Sequence, residues 1–227
     1  MKILAFDTTN NTASVAISQG ETILAYIEEL RPSMQAERIM YMIEEALNIA
    51  KLSYHDIDYL IVTNGPGSFT GIRIGLSVAQ GILLSANIKG GTISNFEIAY
   101  FRAISQIKTY HKIFIFLNAY RGQLYSQIFT HNATASNPTL HNYDEAIAAL
   151  LQAEDGIKIC AGSGIELIYN DIKDVKDLII LPRHTRIKAW HICKYVAGKI
   201  AQGQDISSHV EPLYIRPSDA KVTIFNN

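Results

Sequence analysis

Residues 58–86 read DYLIVTNGPGSFTGIRIGLSVAQGILLSA. An almost wholly apolar run, Asp58–Thr63, is what a strand covered on both faces looks like. It breaks at Asn64-Gly65-Pro66-Gly67, where two glycines admit positive φ and Pro66 stiffens the turn. Ser68 and Thr70 are suitable N-caps for a helix that continues to Ala86. Strand, glycine turn and helix in that order define an α/β unit. The free amides at the start of such a helix suit an anion. The segment is not a Walker A loop, because Gly-Lys-Ser/Thr is missing, nor is it GxGxxG, because Gly67 and Gly71 are one residue too far apart. A tight turn without a ligand is as consistent with the spacing.

Upstream, Lys2–Phe6, Ala13–Ser18 and Thr22–Glu28 are extended runs separated by DTTNNT and QGE, a three-stranded meander. Ile39, Met42, Ile43, Ala46, Leu47 and Ala50 then recur at helical spacing, which predicts an amphipathic helix from Gln35. Downstream the order repeats. Lys112–Leu117, Leu124–Thr130 and Thr139–Asn142 read as strands, Tyr143–Gln152 as a helix, and Ile157–Ala161 as a strand ending in Gly162-Ser163-Gly164. The repeat predicts two lobes of related topology, 1–100 and 101–227, divided in the region 95–111. Trp190–Gly203 is a further helix, and Val210–Arg216 closes a final segment expected to pack back across the lobes.

The chain has 227 residues, with 20 Lys+Arg against 21 Asp+Glu and 48% hydrophobic residues. That composition excludes a disordered chain, and two cysteines exclude a disulfide scaffold. Cys160 and Cys193 read as reduced, partly buried thiols. A net charge of −1 argues against a free-standing nucleic-acid binder, yet residues 1–58 carry −5 and residues 183–227 carry +4. No export signal or membrane-length apolar run is read, so the expectation is a soluble, cytoplasmic protein.

Asp7 stands at the carboxyl end of the first strand, where α/β proteins place ligand-binding groups. With Thr8 and Thr9, and with Gly65, Gly67 and Ser68, it forms the candidate set for nucleotide or phosphate contact; good turn chemistry explains Asp7–Asn10 equally. The matching turn of the second lobe, Asn118–Gln123, offers a carboxamide where a phosphotransferase needs a carboxylate. The seven histidines (His55, His111, His131, His141, His184, His191 and His209) form neither HExxH nor HxxxH, and no metal site can be assembled. Gly71, Gly75 and Ala79 line one face of the second helix, with Ser77 and Gly81 beside them. Such a strip admits close packing of the chain's own sheet or of a partner helix.

ILAFDTTNNTASVAI at the start, NGPGSFTGIRIGLSVAQG at 64–81, NAYRGQLY at 118–125 and EPLYIR at 211–216 together resemble the bacterial TsaB (YeaZ) family, collinearly over nearly the whole chain. The resemblance implies a two-lobed, actin-like (ASKHA-type) fold. It also implies an accessory role in forming N6-threonylcarbamoyladenosine at position 37 of tRNAs that read ANN codons. In that family the protein heterodimerises with the catalytic subunit TsaD, the ATPase TsaE joins the pair, and tRNA is reached through the complex. ATP/ADP and metal are then expected in the partner-containing complex, not as cofactors of this chain.

Where TsaD carries an HxxxH metal motif, this sequence has Gln35 and Ile39. Where the family's second-lobe turn commonly reads Asp-Ala-Arg followed by Glu, it has Asn118, Tyr120 and Gln123. The resemblance places the partner surface on the two amino-terminal helices, at Gln35, Arg38, Ile39, Met42, Gly71, Arg73, Gly75 and Ala79, with Met34 and Met40 nearby. A homodimer through the same face is expected when the partner is absent. The competing reading is an independent nucleotide hydrolase or kinase of this fold, with Asp7 as base. A peptidase lacks both metal site and triad here.

Overall fold

The computed structural model describes residues 1–132, 134–154, 156–181, 186–204, 206 and 208–216. His184 lies outside them, as do all residues beyond Arg216. The meander is β1 (Lys2–Asp7), β2 (Ala13–Gln19) and β3 (Thr22–Glu29), followed by α1 (Gln35–Ala50). A single 3-10 turn at Tyr54–Asp56 leads to β4 (Tyr59–Thr63) and α2 (Phe69–Ala86). Next come β5 (Lys89–Ile93) and α3 (Asn95–Gln106). The second half holds β6 (Lys112–Asn118), β7 (Gln123–Thr130), β8 (Thr139–Asn142) and α4 (Tyr143–Leu151). It ends with β9 (Lys158–Ala161), α5 (Ile165–Ile172), β10 (Leu178–Ile180) and α6 (Ala189–Ala201).

The first sheet has the order β3-β2-β1-β4-β5, the second β8-β7-β6-β9-β10. In each, three antiparallel strands are joined by two parallel ones. The two lobes therefore share one topology, as the repeated order of elements predicts.

Period-2 alternation distributes each sheet between two cores. From β1, Leu4 and Phe6 meet α1 and α2, whereas Ile3 and Ala5 meet α6. From β6, Ile113 and Ile115 face α3, and Phe114 and Phe116 face α4 and α5. Helix α3 occupies the region read as the divide. Its Ile98 enters a core of the first lobe, and its Phe96, Ala99 and Ala103 enter one of the second. A Ser94–Glu97 capping box fixes its start.

Val210–Arg216 adds no strand and lies across both lobes. Asn64 accepts from the Leu213 N–H at 2.9 Å and donates from its amide to the Glu211 carbonyl at 3.0 Å. On the other lobe, Arg216 Nη2 donates to the Ala119 carbonyl at 2.9 Å and to Gln123 Oε1 at 2.8 Å. Cys160 and Cys193 are free and buried.

Candidate functional site

The end of β1 carries Asp7 to the mouth of the interlobe cleft, but the carboxylate is turned inward and is 1% exposed. Its Oδ1 accepts from the Thr9 N–H (3.1 Å), the Thr9 hydroxyl (2.5 Å) and the Thr63 hydroxyl (2.5 Å). Oδ2 accepts from the Asn10 amide at 3.2 Å. Burial pushes the carboxyl above its ordinary range, against the pull of those four donors. Asp7 thus ties the β1–β2 turn to β4, a structural knot made of short polar side chains.

The glycine turn docks on the same turn. Ser68 N–H donates to the Thr9 carbonyl at 2.7 Å, and Ser68 Oγ accepts from Gly71 N–H at 3.2 Å, capping α2. The Gly65 carbonyl accepts from Asn95 N–H at 2.7 Å. Asn95 Nδ2 adds bonds to Thr9 Oγ1 (2.7 Å) and the Pro66 carbonyl (2.8 Å). Asp7, Thr8, Thr9, Gly65, Gly67 and Ser68 are brought together, as a phosphate site requires. Yet the amides of Ser68 and Gly71 are spent on neighbours within the chain, and Asp7, Thr8 and Thr9 are all buried. Asn95 was not singled out by the sequence; the capping box beside it was the only readable signal there.

The cleft between the lobes is a cavity of about 260 Å³ bordered by Asn10, Asn118, Ser163 and Arg186. Asn118 Oδ1 accepts from Tyr120 N–H at 2.7 Å, so the carboxamide builds its own turn. Its backbone N–H donates to Ser163 Oγ at 3.1 Å.

Gln35 and Ile39, which stand at the metal-motif positions, are 5% and 0% exposed. An isoleucine has no donor atom and both side chains point into the lobe, so these residues do not fit a metal. Among the described residues no group of three His, Cys, Asp or Glu side chains is placed to hold one. A Ser126–His141 pair does occur, with Oγ and Nδ1 2.8 Å apart, but Ser126 is buried and shares its hydroxyl with Thr139.

The partner surface expected from the sequence is largely interior. Gln35, Ile39, Met42, Gly71, Gly75 and Ala79 are all buried within the first lobe. A Cβ on Gly75 would stand 2.5 Å from Thr8 Oγ1 and 3.2 Å from Val62, and one on Gly71 would collide with the Thr8 carbonyl. The small strip admits the chain's own β1 turn, which corrects the interface assignment for these six residues. Arg38 pairs at 3.5 Å with Glu29, whose carboxyl the neighbouring Arg31 holds down at about 2. Arg73 lies over the Phe69 ring at 3.9 Å and donates from Nε to Tyr214 Oη at 3.0 Å, tying α2 to the final segment.

The outward faces of the two helices mix apolar or small residues with polar ones, Glu37, Glu44 and Glu45 on α1 and Arg73 and Gln80 on α2. Met40, Tyr41 and Leu84 are 39%, 65% and 88% exposed, and a Cβ on Gly81 would meet open space. Helix α2 is long and apolar enough to cross a membrane by length and composition, and 33% of its residues are buried in the fold. Its apolar residues Ile72, Leu76, Ala79 and Ile82 face the core, and Leu84 stands exposed among polar neighbours.

The family model described as "TsaD: tRNA N6-adenosine threonylcarbamoyltransferase" matches residues 33–203. The tRNA threonylcarbamoyladenosine biosynthesis protein TsaB of Escherichia coli is 42% identical over 88 residues, a match spanning 39% of this chain and 38% of that protein. The chain thus aligns with less than half the length of that relative. The protein of the same name from Haemophilus influenzae is 26% identical over 229 residues, 95% of this chain and 94% of its own. Among solved structures, YeaZ from Pseudomonas aeruginosa superposes with a TM-score of 0.73 at 18% identity, covering 94% of this chain and 99% of that one. At that identity the likeness establishes the fold.

Proposed function

Because the chain belongs to the TsaB (YeaZ) family, within the wider family that includes TsaD, we propose that it serves tRNA threonylcarbamoyladenosine biosynthesis as a non-catalytic subunit. It heterodimerises with TsaD in the cytoplasm, and the pair takes up TsaE. Nucleotide and metal are held in the partner-containing complex. The observation that supports this most is the state of Asp7: a base must reach a substrate proton, and this carboxylate is buried under four internal donors. Asn118 borders the cleft from the other lobe without a charge, and the amides of Ser68 and Gly71 are already bonded within the chain.

The exposed faces of α1 and α2, with Met40, Tyr41, Gly81 and Leu84, are the docking surface for TsaD. These apolar and small groups allow close helix packing, and they stand among exposed polar residues such as Glu44, Glu45 and Gln80. The same face forms a homodimer when TsaD is absent.

The test is reconstitution of threonylcarbamoyl transfer from TsaD, TsaE and tRNA, with and without this chain. Transfer is expected to require it, and to survive Asp7→Asn. Nucleotide hydrolysis by the isolated chain, abolished by Asp7→Asn, would favour an independent hydrolase and overturn the accessory role.

A further inference from the structure

On the far side of Pro66-Gly67 from the interlobe cleft lies a larger groove of about 890 Å³, between the start of α2, the β6–β7 turn and the final segment. Three guanidinium groups, Arg73, Arg121 and Arg216, border it, and four rings, Phe69, Tyr120, Tyr125 and Tyr214. No carboxylate lines it among the described residues. Phe69 and Tyr214 meet at a tilt with centroids 5.1 Å apart, and Arg73 lies over the Phe69 ring at 3.9 Å. Arg216 is fixed by its bonds to Ala119 and Gln123.

The β6–β7 turn at the groove's border is held in an unfavourable conformation. Tyr120 and Arg121 have φ of 58° and 53°, and Gly122 follows at 73°. Two successive side-chain-bearing residues in the left-handed region are uncommon. The conformation presents Tyr120, 61% exposed, at the groove's border beside Arg121. An exposed ring on one wall, a ring pair on the other and cations around both are the elements that hold an unpaired base and its phosphate.

We propose that this groove binds an unpaired nucleotide of RNA, so that the chain contacts its tRNA directly and not only through a partner. The identity of the RNA as tRNA rests on the function proposed above; the groove's chemistry does not. A free nucleotide needs its phosphates enclosed, and two of the amides nearest the groove, those of Ser68 and Gly71, are bonded within the chain. A polymer gains from charge spread along its backbone and needs no such enclosure.

Fluorescence anisotropy of the isolated full chain with a labelled unstructured 12-mer oligoribonucleotide tests this without TsaD or catalysis. The wild type is expected to bind saturably and at least fivefold more tightly than it binds the same strand annealed to its complement. Tyr120→Gly removes the ring while easing the backbone, and Arg121→Ala removes a charge; each is expected to weaken binding at least fivefold with an unchanged melting temperature. Absence of saturable binding, or variants that bind as the wild type does, would overturn the proposal. Displacement of the oligomer by an equimolar mononucleotide would assign the groove to free nucleotides and overturn it as well. Failure here leaves the accessory role standing, since reconstituted transfer reads that separately.

Discussion

The Thr8 hydroxyl donates a 2.7 Å hydrogen bond to the Gly71 carbonyl, joining the β1–β2 turn to the first turn of α2. That approach is possible because Gly71 and Gly75 leave no side chain between the helix and Thr8. The four-residue spacing of small residues therefore records an internal contact. Gly75→Ala is expected to lose about 1–3 kcal/mol by overpacking, and Gly75→Leu to leave the lobe unfolded. Gly81→Ala, one and a half turns on with open space beside it, is expected to gain up to ~1 kcal/mol from helix propensity. Urea denaturation of the three variants checks the opposite signs.

The docking surface is tested at Leu84, which is 88% exposed and so contributes almost nothing to the isolated fold. Leu84→Glu is expected to leave the melting temperature within a degree or two. If the leucine is buried by TsaD, its loss costs the complex about 1.5–3 kcal/mol, roughly a 10- to 100-fold weaker dissociation constant. Calorimetric titration against TsaD measures it. Unchanged affinity would move the interface off this face.

Much of the fold is legible in the sequence, and its unread parts have physical reasons. The strands β1, β4 and β6 are apolar throughout because both their faces are covered, and the Gly65–Gly67 turn marks its own place. Helix α3 shows no single apolar stripe because Ile98 serves one lobe and Phe96, Ala99 and Ala103 the other. Strand β5, KGGTI, has two glycines that strands disfavour; Gly90 is there because a Cβ would stand 2.7 Å from the Leu60 carbonyl.

At the candidate site, the sequence groups the residues but does not give the direction they face. Spacing identifies which residues of α2 share a face, Gly71, Gly75 and Ala79. It does not say whether that face meets the sheet or a partner, since small residues suit both. Likewise Asp7, Thr9 and Asn10 are good ligands and good turn formers, and only the bond to Thr63 across the sheet decides between them.

Asp7 makes a pH prediction. Burial raises its pKa in the folded state above 3.8, so the folded chain binds the proton more tightly than the unfolded chain does. Its contribution to stability is fully present below the unfolded value and falls as pH rises through the folded one. Asp7→Asn keeps an acceptor oxygen for Thr9 and Thr63 and cannot ionise. The stability of the variant relative to wild type is expected to increase with pH across that window, then level off. Denaturant midpoints from pH 4 to pH 8 record the difference.

His191 acts in the opposite direction. It is 7% exposed, and desolvation, helped by the nearby charges of Arg102 and Lys188, holds its pKa down at about 3. The neutral ring accepts from the Lys188 N–H at 3.1 Å and so caps α6. An unfolded His191 takes a proton near 6.5 and the folded one does not, so stability is present above 6.5 and declines as pH falls toward 3. Each unit of that window is worth about 1.4 kcal/mol. His191→Asn retains an acceptor for Lys188 without the titration, and is expected to flatten the acid limb of the stability curve. Because Asp7 gains over the range in which His191 loses, the wild-type curve alone would understate both. Subtracting the single-variant curves isolates each slope, and a His191→Asn curve as steep as wild type below pH 6 would show that the ring is not held neutral.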